Sequence, residues 1–257
     1  MQALAIAAHP DDIEFLMAGT LCHLAAAGVR IHYWTLADGC CGSDELDRQA
    51  IARVRRREAE AAAAAIGATY YPPLCHDLEI FYDQTTLARV AAVIRRVAPD
   101  LVLTHSPLDY MEDHMNTARL AVTATFARGM PNFPVEPATP ALSKPVALYH
   151  AQPYFHRDPL GHLVHPDFFV DVSSVLDRKL ALLECHHSQR VWLDRSQGQD
   201  AYTETLRQLD AECGAMSGRF PYAEGWRRHW HIGFATAEFD PLRTLLPGTL
   251  QLSRSRP

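Results

Sequence analysis

Residues 3–12 of the chain read ALAIAAHPDD, and this stretch decides the expected fold. Ala3–Ala8 is a short apolar run that ends just before a proline, which is typical of a buried strand. Leucine and alanine then recur with helical spacing as far as Gly28, where a glycine is a natural end for a helix. The pattern is therefore a strand, a short turn with one histidine and two aspartates, and a helix. This order is typical of the first strand and helix of an α/β protein.

The same alternation continues along the chain. Val29–Leu36 alternates and is rich in β-forming residues, and it is expected to be the second strand. Ala68–Tyr71 is a candidate third strand, and the apolar run Leu101–Thr104 is expected to be the fourth. A helix is expected over residues 44–66, and Asp83 is expected to cap another helix that ends before Pro99. Strands that alternate with helices imply right-handed βαβ crossovers. We therefore predict a Rossmann-like α/β fold, with a mostly parallel sheet flanked by helices.

The length of 257 residues suits one α/β domain, and we expect a single domain over residues 1–257. Its Rossmann-like core is expected over residues 1–129. Residues 130–145 contain five prolines and are expected to form an irregular loop. Residues 146–257 are expected to add strands and helices that complete the domain, together with irregular C-terminal additions.

The composition argues against several classes of protein. A net charge of −6 offers no basic surface for nucleic acid, and no apolar run reaches the roughly 18 residues that a membrane span needs. The N-terminus lacks the features of a signal peptide, so we expect a cytoplasmic protein that acts on a small molecule, alone or as a homo-oligomer. The six cysteines form no CxxC pair. We interpret them as reduced thiols that mostly pack, Cys40 and Cys41 included.

His9-Pro10-Asp11-Asp12 lies where the first expected strand turns into a helix. An imidazole and a carboxylate three residues apart on such a turn can both point to one position beyond the strand end. Zinc accepts histidine nitrogen and aspartate oxygen as ligands. The alternative is that one aspartate only caps the helix. Capping uses one acidic residue, and it explains neither the histidine nor the second aspartate.

Asp113-His114 opens the helix after the fourth expected strand, and Asp113 is expected to be its N-cap. The fourth strand is expected to neighbour the first, which would bring His114 close to His9. His9, Asp12 and His114 would then be three protein ligands of Zn²⁺, with a fourth position open for water, as catalytic zinc requires. Asp11 is the adjacent carboxylate that binds no metal, and it is the candidate general base.

The chain resembles the PIG-L/LmbE family of zinc-dependent N-acetylglucosaminyl deacetylases. The resemblance rests on the Ala8–Asp12 pentapeptide, on Asp113-His114, and on shorter matches over residues 2–230: Gly19-Thr20, Arg55 and Glu58, Ile66-Gly67, Pro99–Val102, Lys179, His186–Gln189 and Tyr222–Arg227. It implies an LmbE-like fold, zinc bound by His9, Asp12 and His114, and Asp11 as general base. The implied reaction removes an acetyl or short acyl group from the amide nitrogen of an amino-sugar-containing small molecule.

One departure from the family concerns the oxyanion. Many members have His-Pro-Asp-His where this chain has Met111-Glu112-Asp113-His114, and their first histidine is thought to stabilise the oxyanion. Met111 cannot donate a hydrogen bond, and such a donor can be worth about 3 kcal/mol. A replacement is therefore expected from a backbone amide, a tyrosine, zinc alone or a histidine. The histidine candidates are His105, His165 and His186, with Asp113 in a supporting role.

Two residues are candidates for substrate binding. Arg55 matches a family position associated with substrate contact, although the charged run Arg53–Arg57 is also typical of a solvated helix face. Asp77 follows the third expected strand and could accept hydrogen bonds from sugar hydroxyls or serve as a turn residue.

Two other functions stay open beside amino-sugar deacetylation. One is a zinc-binding but catalytically weak or silent module used for binding or assembly, which Met111 favours and Asp11 disfavours. The other is an amidohydrolase that acts on a non-sugar amide. A nucleotide-binding Rossmann domain is excluded, because no GxGxxG follows the first strand.

Overall fold

The structure is a computed structural model that describes residues 1–197 and 201–253, and for residues 193–197 it describes the backbone only. One sheet forms its centre. The strands are β1 (Gln2–Ala7), β2 (Arg30–Thr35), β3 (Thr69–Tyr71), β4 (Leu101–Thr104), β5 (Ala147–Ala151), β6 (Phe168–Asp171), β7 (Ala223–Arg228) and β8 (Leu250–Leu252). Within the described residues they lie in the order β3-β2-β1-β4-β5-β7-β6-β8.

Helices cover both faces of this sheet. They are α1 (Asp12–Leu16), α2 (Ala18–Ala26), α3 (Arg48–Ala65), α4 (Gln84–Val97), α5 (Glu112–Ala127), α6 (Leu176–Leu183), α7 (His187–Gln197), α8 (Ala201–Ser217) and α9 (Pro241–Leu245). The helix expected after the first strand is divided in two at Met17, which ends α1 and begins α2. In the part of the chain that the structure describes, no helix is both long and apolar enough to span a membrane.

The first five strands along the sheet are parallel and the last three are antiparallel. The predicted α/β fold with a Rossmann-like parallel core is therefore confirmed, as is the predicted pairing of the first and fourth strands. β7 and β8 were not predicted as strands. They extend the sheet on one side with antiparallel pairs, and together with β6 they form its C-terminal part.

The central strand β1 is buried on both sides, as parallel strands under two helical layers are. Ala3 and Ala5 face a core formed with α1, α2, α3, α6 and α8, whereas Leu4 and Ile6 face a core formed with α4 and α5. Every side chain of β1 after Gln2 is buried. The turn that follows β1 is therefore held rigidly from both faces of the sheet.

Local predictions of helix ends had mixed outcomes. Asp83 caps α4, since its carboxylate accepts a hydrogen bond from the Thr86 N–H at 2.8 Å. The prediction that Asp113 is the N-cap of α5 is wrong. Met111 occupies that position and makes no capping bond, while Asp113 lies in the first turn, where its carboxylate has other partners. Residues 130–145 form no helix or strand, as expected.

A buried ionic cluster joins the start of α2 to the C-terminal half. Glu224 of β7 accepts hydrogen bonds from the N–H groups of Gly19 and Thr20, each at 2.8 Å. The Lys179 ammonium lies 2.8 Å from Glu224 and 2.7 Å from Asp210. Buried charges need such pairing because water no longer solvates them. The family matches at Gly19-Thr20, Lys179 and Glu224 are thus structural, and they anchor the elements around the turn after β1.

Candidate metal centre

Three side chains meet beyond the carboxyl ends of β1 and β4. His9 comes from the turn after β1, Asp12 is the first residue of α1, and His114 lies in the first turn of α5. Their ligand atoms all lie within 4.8 Å of one another. His9 Nδ1 is 3.4 Å from Asp12 Oδ2, and His114 Nε2 is 3.4 Å from Asp12 Oδ1. The parallel pairing of β1 with β4 brings the three together at the edge where ligands bind in open α/β sheets.

Each imidazole in this cluster is oriented by a second carboxylate. His9 Nε2 lies 3.0 Å from Asp113 Oδ2, and His114 Nδ1 lies 3.0 Å from Asp109 Oδ1. The other nitrogen of each ring faces Asp12. Metal-binding histidines have this arrangement, in which a carboxylate fixes the tautomer and the direction of the ring. Asp113 also accepts a hydrogen bond from the Leu78 N–H at 2.7 Å, which explains why it does not cap α5.

The electrostatics of the cluster favour positive charge at its centre. Burial disfavours the imidazolium form of His9, but Asp113 and Asp12 outweigh burial and raise the pKa of His9 to about 9. Burial also opposes charge on His114, yet Asp12 and Asp109 raise its pKa to about 10. Two imidazoles and a carboxylate with an open side form the donor set of catalytic zinc sites, so the residues present fit this metal.

Asp11 lies in the same turn but is not part of the ligand cluster. Its φ of 100° is in the left-handed region, which costs a residue other than glycine roughly 1–3 kcal/mol. It occupies the N-cap position of α1 without making a capping hydrogen bond. Its Oδ2 instead accepts a hydrogen bond from the Tyr202 hydroxyl at 2.8 Å and lies 3.4 Å from Arg55 Nη2. Burial raises the pKa of Asp11, while the Arg55 guanidinium acts to lower it.

Two cavities meet at the cluster and share Asp11, Asp12, Tyr110 and His114. The smaller has a volume of about 220 Å³, and its wall is largely aromatic, with Phe15, Tyr110, Tyr154 and Tyr202. The larger has a volume of about 330 Å³, and its wall combines polar and apolar residues, with Cys41, Gly42, Arg55, Asp77, Leu78, Met111, Gln189 and Trp192. A substrate can therefore lie across the cluster with one part in each cavity.

The predicted substrate-binding residues both lie in the wall of the larger cavity. Arg55 is 4% exposed and its guanidinium donates to the Pro10 carbonyl, so this side chain does not belong to a solvated face. Its neighbours Arg56 and Arg57 are exposed. Asp77 accepts hydrogen bonds from the N–H groups of Gly39 at 2.7 Å and Cys41 at 2.8 Å. It therefore holds the loop after β2 in place as well as facing the cavity.

The three histidines considered as oxyanion donors do not lie in the wall of either cavity. His105 is fully buried behind Asp12, where its Nε2 accepts a hydrogen bond from the Ala8 N–H at 2.9 Å. His186 is also fully buried, 3.2 Å from Glu14 Oε2. His165 is exposed on the segment before β6.

Sequence reasoning did not single out the tyrosines of the smaller cavity. Tyr110 and Tyr154 stand in its wall, and burial raises the pKa of both phenols, which keeps them protonated as hydrogen-bond donors. Tyr202 reaches Asp11 from α8. No local pattern marks these residues, because tertiary packing alone brings them to the turn after β1.

Comparisons with known proteins found related sequences and a related structure. The family model described as "PIG-L: GlcNAc-PI de-N-acetylase" matches residues 4–125. The chain is 30% identical over 239 residues to diacetylchitobiose deacetylase of Thermococcus kodakarensis, covering 88% of this chain and 82% of that protein. It is also 30% identical over 237 residues to 4-oxalmesaconate hydratase of Pseudomonas putida, covering 87% of each. The structure of N,N'-diacetylchitobiose deacetylase from Pyrococcus horikoshii is similar, with a TM-score of 0.74, 26% identity, and coverage of 94% of this chain and 88% of that one.

Proposed function

The chain belongs to the PIG-L family of deacetylases, and we propose that it is a zinc-dependent hydrolase of amino-sugar amides. The reaction removes an acetyl or short acyl group from the amide nitrogen of a small molecule. One observation carries the proposal: His9, Asp12 and His114 converge at a cavity that a further carboxylate, Asp11, also faces. A purely structural metal site has no use for that carboxylate.

His9, Asp12 and His114 would hold the zinc. When bound, zinc lowers the pKa of a water to about 7 and polarises a carbonyl oxygen. Tyr202 and Arg55 both contact Asp11 at Oδ2, which leaves Oδ1 to take the proton of the attacking water. Water oxygen bonds to the amide carbon and the C–N bond breaks. The nitrogen takes up a proton, so the products are a short carboxylic acid and a primary amine.

The two cavities suit the two parts of such a substrate. Sugar rings stack on aromatic side chains, and the smaller cavity offers Phe15, Tyr110 and Tyr154. In the larger cavity Arg55 and Asp77 are the candidate partners for polar groups of the substrate. A phenol of the smaller cavity can also supply the oxyanion donor that Met111 does not. We further propose that residues 1–257 form a single domain, because strands from both halves of the chain form one sheet.

A second candidate function is the addition of water to the carbon–carbon double bond of an unsaturated carboxylate. Two observations favour it. One 30% identical relative is a hydratase, and the larger cavity combines Met111, which gives an oxyanion no donor, with the buried cation of Arg55. Oxygen of the same Asp11-activated water would bond to one carbon of the double bond, the other carbon would take up a proton, and Arg55 would face a substrate carboxylate. Hydration and deacetylation would then use the same base, Asp11, and differ in the bond that the water attacks.

The test combines metal analysis with two assays on the native protein and on Asp11→Asn. Amine release is measured with a panel of N-acetyl sugars and simple amides, and loss of ultraviolet absorbance with conjugated unsaturated carboxylates. Amine release from the sugars that disappears in Asp11→Asn, with zinc retained, supports deacetylation. Turnover of simple amides alone indicates a non-sugar amidohydrolase, and turnover of unsaturated acids alone supports the hydratase.

Two results would overturn both proposals. Zinc bound without turnover of any substrate would indicate a silent binding module. Absence of stoichiometric metal from the native protein would contradict the whole assignment of the site. The control is His9→Ala, which removes a proposed zinc ligand and keeps the proposed base, Asp11.

A further inference from the structure

A second group of metal-ligand side chains lies beyond the carboxyl ends of β2 and β3. The loop after β2 carries Asp38, Cys40 and Cys41, and the loop after β3 carries His76 and Asp77. Two triplets overlap here, Asp38 with Cys40 and His76, and Cys40 with Cys41 and Asp77. In each triplet the ligand atoms lie within 4.8 Å of one another. We call these five residues the rim site.

We propose that the rim site binds a second, thiophilic divalent cation, Zn²⁺ or its analogue Cd²⁺, through Asp38, Cys40 and His76. Thiolate, imidazole and carboxylate are the ligands that zinc prefers, at about 2.0–2.3 Å. Ligand atoms at tetrahedral positions are then about 3–4 Å apart, so the three side chains need only small rotations. Cys40 belongs to both triplets and is the central ligand. The exposed Cys41 can supply a fourth.

An ordinary hydrogen-bonded pair does not account for this group. His76 Nδ1 lies 2.6 Å from Asp38 Oδ2, and Asp38 Oδ1 accepts a hydrogen bond from the Cys40 N–H. These contacts explain why Asp38 lies in the turn and why His76 lies beside it. They give no reason for a buried thiol at the same point, with a second thiol next to it in the chain.

The Cys40 thiol contacts a guanidinium that a metal ion could replace. Arg48 Nε donates to Cys40 Sγ at 3.1 Å, and this exposed arginine also contacts Glu79 at 2.5 Å. A bound cation can therefore displace the guanidinium toward Glu79. Burial raises the pKa of Cys40 to about 11, so the free thiol is protonated and the metal must release that proton. We expect affinity to rise with pH.

Occupation of the rim site would act on the catalytic cavity. Cys41, Gly42 and Asp77 are part of the wall of the larger cavity. The loop also lies directly on Arg55: a Cβ on Gly39, whose φ is 77°, would be 2.5 Å from Arg55 Cδ. Arg55 in turn contacts Asp11. A cation that tightens this loop would hold Arg55 and narrow the cavity, so we expect excess zinc to inhibit.

The first test measures metal and needs no activity. The native protein and the variants Cys40→Ser, His76→Ala and Cys185→Ser are loaded with Zn²⁺, dialysed and analysed. We expect two equivalents in the native protein and in Cys185→Ser, a half-buried thiol outside both loops, and one equivalent in the other two variants. His76 is exposed, so its variant leaves the core unchanged. One equivalent in the native protein, or two in Cys40→Ser, would overturn the proposal.

Cd²⁺ then separates the two sites. The cluster of His9, Asp12 and His114 contains no thiol, so a cadmium–thiolate absorption band that is lost in Cys40→Ser reports the rim site and not this cluster. We expect this band in His9→Ala, which lacks a catalytic ligand, and not in Cys40→Ser. If this band is present but the native protein shows no enzymatic turnover, the proposed function is wrong and the rim-site proposal is still supported. Where turnover is found, the zinc concentration that halves the rate should rise about tenfold in Cys40→Ser, and equal inhibition of both proteins would contradict the coupling.

Discussion

The Tyr202 hydroxyl donates a hydrogen bond to Asp11 Oδ2 at 2.8 Å, although 191 residues separate the two in sequence. Tyr202 is 1% exposed, and its ring packs edge-on against Phe15 with 5.2 Å between centroids. The phenol thus has a fixed position. Helix α8, far from the motif in the chain, determines how the candidate base is oriented.

The substitution Tyr202→Phe tests this relationship. It keeps the ring and removes the donor, so we expect kcat to fall about tenfold, with KM and zinc content unchanged. Tenfold corresponds to about 1.4 kcal/mol, the lower end of what a hydrogen bond to a charged group is worth. Steady-state kinetics provide the measurement. The control is Tyr149→Phe, which removes a partly buried hydrogen bond to Asp240 away from the site. If this control lowers kcat as much, Tyr202 acts only through stability.

The substitution Asp113→Ala tests the orientation of His9. It removes the carboxylate 3.0 Å from His9 Nε2, so the ring loses its fixed direction. We expect zinc affinity to fall about 10- to 100-fold, as for other carboxylates that orient a metal ligand. Competition with a chromophoric chelator measures the affinity. Glu112→Ala changes the exposed acid next to it and should leave affinity unchanged; an equal loss in both variants would indicate an effect of charge alone.

The substitution Met111→His separates the two candidate functions. It restores the family's histidine in the wall of the larger cavity, beside His114. If the enzyme is a deacetylase, an added oxyanion donor should raise the rate of amide hydrolysis, by up to about 100-fold. Hydration of a carbon–carbon double bond develops no charge on an amide oxygen, so we expect the rate of amide hydrolysis to gain more from this donor than the rate of hydration. Both rates are compared with Met111→Leu, and an increase in the leucine variant would show that polarity is not the cause.

The buried carboxyl of Asp210 predicts a pH dependence of stability. Burial raises the pKa of Asp210 to about 7, against the opposing ammonium of Lys179, while the unfolded value is 3.8. The folded state therefore holds this proton more tightly, and its contribution to stability is complete below about pH 4 and lost as pH rises through about 7. Urea unfolding at about pH 5 and about pH 8 measures the difference. We expect the free energy of unfolding to decrease less between these pH values in Asp210→Asn than in the native protein. Glu212→Gln, an exposed change on the same helix, should show the native decrease. If Asp210→Asn also shows the full native decrease, another group is responsible for it.

The order of residues in the chain accounts for the main features of the fold and for the ligand cluster. Ala3–Ala8 and Leu101–Thr104 are apolar runs that are each followed by a helix, and strands connected through helical crossovers pair in parallel. Residues that follow two paired strands must then meet at one edge of the sheet. For this reason the proximity of His9, Asp12 and His114 could be predicted without coordinates.

Other parts of the site depend on which of several possible partners a side chain contacts. The local sequence pattern does not show this choice. Asp113 has the composition of an N-cap, but His9 Nε2 and the Leu78 N–H take its carboxylate. Arg55 lies in a charged run, yet packing against Gly39 turns it inward.

By itself, then, the sequence determined the parallel α/β core, the turn after β1 and the three side chains that converge there, because each follows from short-range periodicity and strand order. Only the tertiary structure decided which groups surround Asp11, which tyrosines form the smaller cavity, and that Cys40 lies beside Asp38 and His76. These contacts join segments tens to hundreds of residues apart. The physical reason is that burial and hydrogen bonding select such partners only after the helices have packed on the sheet.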